Sequence, residues 1–191
     1  MKRSIRAVLA TSAALALTSL GVAPAMAAEP PQPASWQKVD DRYAFPAGSA
    51  CKDRIKVHEK YKYRLMVLSE SPTRASYRED IDGGWAKFYN PRTHKTVRIK
   101  LDSTAYIEEN RVNATARIRD KGVGYWQGPG VKGLLYVKGT TYGKYVHLDD
   151  PDQTSLNIYK IKGKSVQLCY RLGSKPVDGK LVIPPSAQSQ T

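Results

Sequence analysis

The sequence predicts an all-β fold, an antiparallel β-sandwich or flattened β-barrel closed by one disulfide. Three observations carry this expectation: an apolar–polar alternation of period two, turn residues at roughly ten-residue spacing, and an even cysteine count of 2. Val97, Ile99 and Leu101 alternate with Thr96, Arg98 and Lys100, and Val112, Ala114, Ala116 and Ile118 with Asn113, Thr115, Arg117 and Arg119. Ile55 and Val57 alternate with Lys56 and His58. Such alternation sets one sheet face on a core and leaves the other in water.

His58 to Leu68 has some helical flavour, but Tyr61, Tyr63, Leu65 and Val67 share a strand face, and the segment reads as strand. Turn chemistry punctuates the strands at Asp82-Gly83-Gly84, Asn90-Pro91-Arg92-Thr93, Asp120-Lys121-Gly122, Gly128-Pro129-Gly130, Gly139 to Gly143, Asp149 to Asp152 and Lys162-Gly163-Lys164. Strands of about five to eight residues follow from that spacing. The expected core comprises Ile55, Val57, Leu65, Val67, Phe88, Val97, Ile99, Leu101, Val112, Ile118, Leu135, Val137, Val146, Leu156, Ile158, Val166 and Leu168.

The ends set the organisation. Lys2, Arg3 and Arg6 precede the apolar stretch Ala7 to Val22, and Ala25-Met26-Ala27 offers a small-x-small cleavage pattern. Residues 1–27 therefore read as a signal peptide for the general secretory route rather than a membrane anchor. Residues 28–39 form a proline-rich tail, 40–183 a single β-domain and 184–191 a polar C-terminal tail. No later apolar run has the length of a membrane span. Secretion into an oxidising compartment, extracellular or wall-associated, favours a bridge between Cys51 and Cys169. Two buried thiols and links between chains are the alternatives.

Phe45-Pro46-Ala47-Gly48 leading into Cys51, Asp82-Gly83, the segment Phe88 to Val97 and the closing Leu168-Cys169-Tyr170-Arg171-Leu172 follow one another in a characteristic order. In this order the chain resembles a group of small, uncharacterised secreted β-proteins of high-GC Gram-positive bacteria. The resemblance implies export, a β fold and a cysteine at the first and last landmark, and carries no settled activity. The chain departs from it at Asn90-Pro91-Arg92 and His94, where a simpler Asn-x-x-Thr-Gly turn is usual.

Chemical motifs are weak. Gly128 to Gly133 spells G-x-G-x-x-G, but Leu134 to Val137 after it reads as a strand, whereas a dinucleotide loop must open a helix. Asp149, Asp150 and Asp152, and Glu79, Asp80 and Asp82, lack the distal Glu of a calcium loop. His58, His94 and His147 are isolated in sequence, so a zinc site would need distant strands to converge. Asn113-Ala114-Thr115 is a sequon on an expected strand. No catalytic, metal-ligating or cofactor-binding residue is assigned, and no cofactor is expected.

Charge is the physical feature that stands out. The whole chain has a formal charge of +14; without residues 1–27 it keeps 28 Lys and Arg against 17 Asp and Glu, or +11. Lys56, Lys60, Lys62 and Arg64, Arg98 and Lys100, Arg117 and Arg119, and Lys160, Lys162 and Lys164 are interleaved with tyrosines. A field of this sign concentrates polyanions, and tyrosines stack on bases or sugars. The expectation is a secreted, non-catalytic basic module that binds an anionic extracellular or cell-wall polymer, with nucleic acid a further candidate partner. Lysines on strands also serve solubility and edge protection. Two other classes compete. A secreted hydrolase of wall glycan or nucleic acid would use some pair among the histidines and the carboxylates: two histidines as acid and base with a lysine holding the phosphate charge, or Glu108 and Glu109 beside another carboxylate. A protein-binding or inhibitor module would present Tyr125 and Trp126 from the loop Gly122 to Gly133.

Overall fold

The computed structural model describes residues 34–148, 154–180 and 182. The expected signal peptide, the acidic turn at Asp149 to Asp152 and the C-terminal tail lie outside the described residues. Seven strands pair antiparallel in chain order as one sheet: β1 (Gln37–Phe45), β2 (Ile55–Glu70), β3 (Arg74–Tyr89), β4 (Thr96–Asn110), β5 (Thr115–Trp126), β6 (Leu135–Val146) and β7 (Ser155–Gln167). A four-residue helix, α1 (Leu168–Arg171), follows. β1 thus begins inside the stretch expected to be tail. Among the described residues, no helix is long and apolar enough to cross a membrane.

Four of the seven expected turns are not where strands end. Asp82-Gly83-Gly84 is a bulge within β3, where the register shifts between Ile81 and Gly84. Gly122, Gly139 and Gly163 lie inside β5, β6 and β7, paired with one another across the sheet. Their φ values of 149°, 147° and 130° are open to glycine alone without strain. A Cβ on Gly139 would overlap the Lys162 carbonyl oxygen, and one on Gly163 the Lys138 carbonyl oxygen. The strands are 12 to 16 residues long from β2 to β7 rather than five to eight, and β5, β6 and β7 run through this glycine row instead of ending at it.

Two cores result. Phe45, Ile55, Val57, Tyr61, Tyr63, Phe88, Ile99 and Leu101 form the first with Tyr125, Leu134, Leu168 and Leu172. Tyr77, Ile107, Ile118, Trp126, Val137, Tyr145 and Leu156 form the second. Neighbouring residues Tyr125 and Trp126 serve different cores, so β5 beyond the glycine row is covered on both faces. Val112, expected in the core, is 71% exposed. The strand begins only at Thr115, because the Asn110 side chain accepts hydrogen bonds from the Val112 and Asn113 amides and holds a turn there. The sequon falls in the same turn, with Ala114 at φ 46°.

The bridge between Cys51 and Cys169 is formed, with Cα atoms 5.6 Å apart across 118 positions. It ties the β1–β2 connection to α1. The segment after α1 continues the clasp: Lys52 donates its amide to the Lys175 carbonyl at 2.7 Å, and Val177 to that of Ala50 at 3.0 Å. Buried Asn90 donates its side-chain amide to the Leu172 carbonyl at 3.0 Å, bringing the β3–β4 turn into the same closure.

The interior also holds acids. Glu59 is fully buried and accepts a 2.9 Å hydrogen bond from the Tyr125 hydroxyl, which lies 2.8 Å from that of Tyr43. Glu79 and Asp120 both pair with Ala105, from opposite sides, which places them on one face with a small residue between them. Both Glu79 carboxyl oxygens are buried without a hydrogen-bond partner among the described residues. Burial, then the negative charges of Asp120 and Asp80, pushes Glu79 well above the usual carboxylate range. Burial also raises Asp120 to about 6, moderated by a hydrogen bond from Ser103.

Candidate polyanion-binding face

Because alternate residues point to opposite faces, the register determines which cations meet on the outer side. On β5, β6 and β7 they form a grid. Arg117 lies opposite Lys144, Lys121 and Lys162 flank Thr140, and Lys138 lies opposite Lys164. A central row runs Arg78, Tyr106, Arg119, Tyr142, Lys160 across five strands, cation and ring in alternation. The Arg78 guanidinium sits 5.9 Å from the Tyr106 ring centre and the Lys160 ammonium 5.8 Å from that of Tyr142. Neighbouring strands lie about 4.8 Å apart, and same-face residues along a strand about 6.7 Å.

Arg117, Arg119, Lys121, Lys138, Lys144, Lys160, Lys162 and Lys164 are all exposed. None takes part in an ion pair among the described residues. Glu108, opposite Arg117, faces this grid, and Asp80, in register with Thr104 and Lys121, faces the same side and pairs with Arg78 of the central row at 3.0 Å. Lys121, Lys138 and Lys144 belong to it although nothing in their local sequence marks them. Only the pairing of three strands brings them beside the lysines of β7.

The candidates on the other half of the sheet are differently placed. Lys60 pairs with Asp40 at 3.2 Å, Arg64 with Asp80 at 2.9 Å, and Lys100 with Asp102. Arg64 also lies 4.7 Å over the Trp36 ring. Lys62 stands opposite Asp82 in the register. Arg98 packs 4.4 Å over Trp85, and Lys56 neighbours Tyr89 across the strands. The eleven expected cations thus separate into two groups. Those on β2 and β4 are mostly engaged with acids or rings, while Arg117, Arg119, Lys160, Lys162 and Lys164 are open to solvent.

Other expectations change. Tyr125 is 4% and Trp126 1% exposed, so neither is available as an anchor for a protein partner. Both are core residues because the bend at Gly122 gives the end of β5 two buried faces. Glu109 receives the Tyr77 hydroxyl at 3.1 Å, whereas Glu108 points to the other face, so the two do not act as a pair. Asp80 is held below its usual range by hydrogen bonds from Thr104, Arg64 and Arg78, which outweigh its burial. The histidines sit on three separate elements. His94 contacts the Tyr89 hydroxyl at 3.1 Å, and His147 follows β6. Among the described residues His58 alone meets a carboxylate, Asp40, at 2.8 Å, with the imidazole edge-on to Trp85. Asp40 is lowered by the hydrogen bond from His58 and then by that from Lys60. This orients the ring, but Asp40 is open to solvent and shared with Lys60.

Among the described residues no group of three or more His, Cys, Asp and Glu side chains could hold a metal ion. The geometry is that of a broad, solvent-exposed cationic surface. Comparison with known protein families, with curated proteins and with solved structures returns no match to this chain.

Proposed function

We propose that this chain is a secreted, non-catalytic adhesion module that holds an anionic polymer on the outer face of β5, β6 and β7. The observation that supports it best is the grid of eight exposed cations without ion-pair partners among the described residues, crossed by a row in which rings and cations alternate. Like charges placed opposite each other on a sheet, as Arg117 and Lys144 or Lys138 and Lys164 are, destabilise it. An extended polyanion removes that cost, and Tyr106 and Tyr142 offer faces to sugars or bases. Export is supported by the leader pattern and by the disulfide, which suits an oxidising compartment.

The test is equilibrium binding of the disulfide-intact protein to heparin, polyphosphate and single-stranded DNA as salt is varied. With about five charges neutralised, log Kd should rise with log salt at a slope of about 3.5, so affinity falls about a hundredfold between roughly 50 and 200 mM. Binding that ignores salt, or no binding at the lowest salt, contradicts the reading.

A further inference from the structure

The opposite half of the outer face carries a second feature of a different shape. At the lower end of β1, β2 and β3 an open groove of about 540 Å³ is lined by Arg42, Arg54, Lys56, His58, Lys87 and Tyr89, among others. Its floor is a row in which Arg42 lies opposite His58 and His58 opposite Lys87, with Lys56 and Tyr89 paired beside it. None of Arg42, Arg54, Lys56 and Lys87 forms an ion pair among the described residues.

The two carboxylates adjoining this row, Asp40 and Asp53, are each already engaged by other groups. Asp40 is held by His58 at 2.8 Å and Lys60 at 3.2 Å. Asp53, beside Arg54, takes both Arg92 nitrogens at 2.7 and 2.9 Å, and the side-chain amide of Asn90 at 3.4 Å. Four cations therefore border one concavity with no free acid among its lining residues. Two of them are arginines, whose planar forks match the oxygens of a tetrahedral oxyanion, and four positive charges exceed what a monoanion compensates. The T-shaped contact with Trp85, ring centres 4.7 Å apart, and the bond to Asp40 fix the His58 ring at the groove's centre.

We infer that this groove is a discrete binding site for one phosphoryl group carrying two or more negative charges, of the phosphomonoester or pyrophosphate type. It is separate from the extended face of β5 to β7 and does not depend on it.

The test is calorimetric titration of the full disulfide-bonded protein with inorganic pyrophosphate near physiological salt, about 150 mM. The expected result is a saturable isotherm at one site per chain. It weakens about tenfold or more in Arg42→Gln/Lys87→Gln, since two charge-assisted contacts are lost, and stays unchanged in Lys160→Gln/Lys162→Gln/Lys164→Gln. These side chains are exposed, so both variants fold, which their melting curves verify. Lys56→Gln alone, on the same groove, should weaken binding by a smaller factor. No saturable heat, equal weakening in the β7 variant, or insensitivity to the groove variants would overturn the site. Sulfate binding as tightly as pyrophosphate would overturn the phosphoryl assignment.

Discussion

Replacing Asp120 with Asn should stabilise this protein above neutral pH and do little in mild acid. Asp120 is 6% exposed, between β4 and β6 on the interior face, and burial raises its carboxyl from 3.8 to about 6. A rise from 3.8 to about 6 corresponds to about 3 kcal/mol. A carboxyl whose folded-state value is raised is most compatible with the fold when protonated. Its contribution is complete below about pH 3.8 and is lost as pH rises through about 6. Asparagine keeps an oxygen that can accept from Ser103 and never ionises. At pH 8 the variant should therefore exceed the parent by up to about 3 kcal/mol, and at pH 4 the two should agree within about 1 kcal/mol. Urea denaturation followed by intrinsic tryptophan fluorescence, to which buried Trp126 contributes, reads this directly. With a slope near 2 kcal/mol/M the midpoint difference at pH 8 is about 1.5 M. The variant-minus-parent difference isolates Asp120 from Asp40, Asp53 and Asp80, whose lowered values cost stability in acid instead. Parallel pH profiles for the two proteins would refute the assignment of Asp120 as a buried, reluctantly ionised group.

Three further outcomes follow from the fold. Gly139→Ala should cost more than about 2 kcal/mol in chemical denaturation, because its Cβ meets the Lys162 carbonyl at a φ that alanine avoids; Gly124→Ala, where a Cβ meets open space, should cost under about 1 kcal/mol. Cys51→Ser/Cys169→Ser should lose roughly 4 to 5 kcal/mol for a loop spanning 118 positions, measured against the oxidised parent. Tyr125→Phe removes the donor to buried Glu59 and a partner of Tyr43, and should lower stability by about 1 to 3 kcal/mol without altering polyanion affinity.

Much of the fold was legible because β-sheet physics is written at period two. Ile99 and Leu101 against Arg98 and Lys100, or Ile118 against Arg117 and Arg119, state which face is wet without any tertiary information. Strand length was not legible, because glycine beside Asp or Lys has the same spelling in a turn and in a kink. Gly122, Gly139 and Gly163 look like separate turns until the strands are aligned, when they become one transverse bend. Trp126 shows the consequence. Beside Gly128 and Pro129 it suggests an exposed loop, yet it is buried in the second core. The candidate face was half legible. The lysines of β7 stand out in sequence, but Lys138 joins them only through pairing. Lys60 and Lys100 differ from them only in having nearby acids on the same face. Glu79 could be read as part of an acidic turn, and its burial opposite Asp120 depends on Ala105 of the strand between them.

Two triple variants of identical net charge separate a binding face from mere basicity. Lys160→Gln/Lys162→Gln/Lys164→Gln removes cations that have no ion-pair partner among the described residues, and Lys60→Gln/Lys62→Gln/Lys100→Gln removes cations set beside Asp40, Asp82 and Asp102. Polyphosphate affinity measured side by side at low salt should fall sharply in the first, with the salt slope smaller by about 2, and hardly change in the second. Equal losses in the two proteins would show that total charge alone draws the polymer, and that the outer face of β5, β6 and β7 is no site.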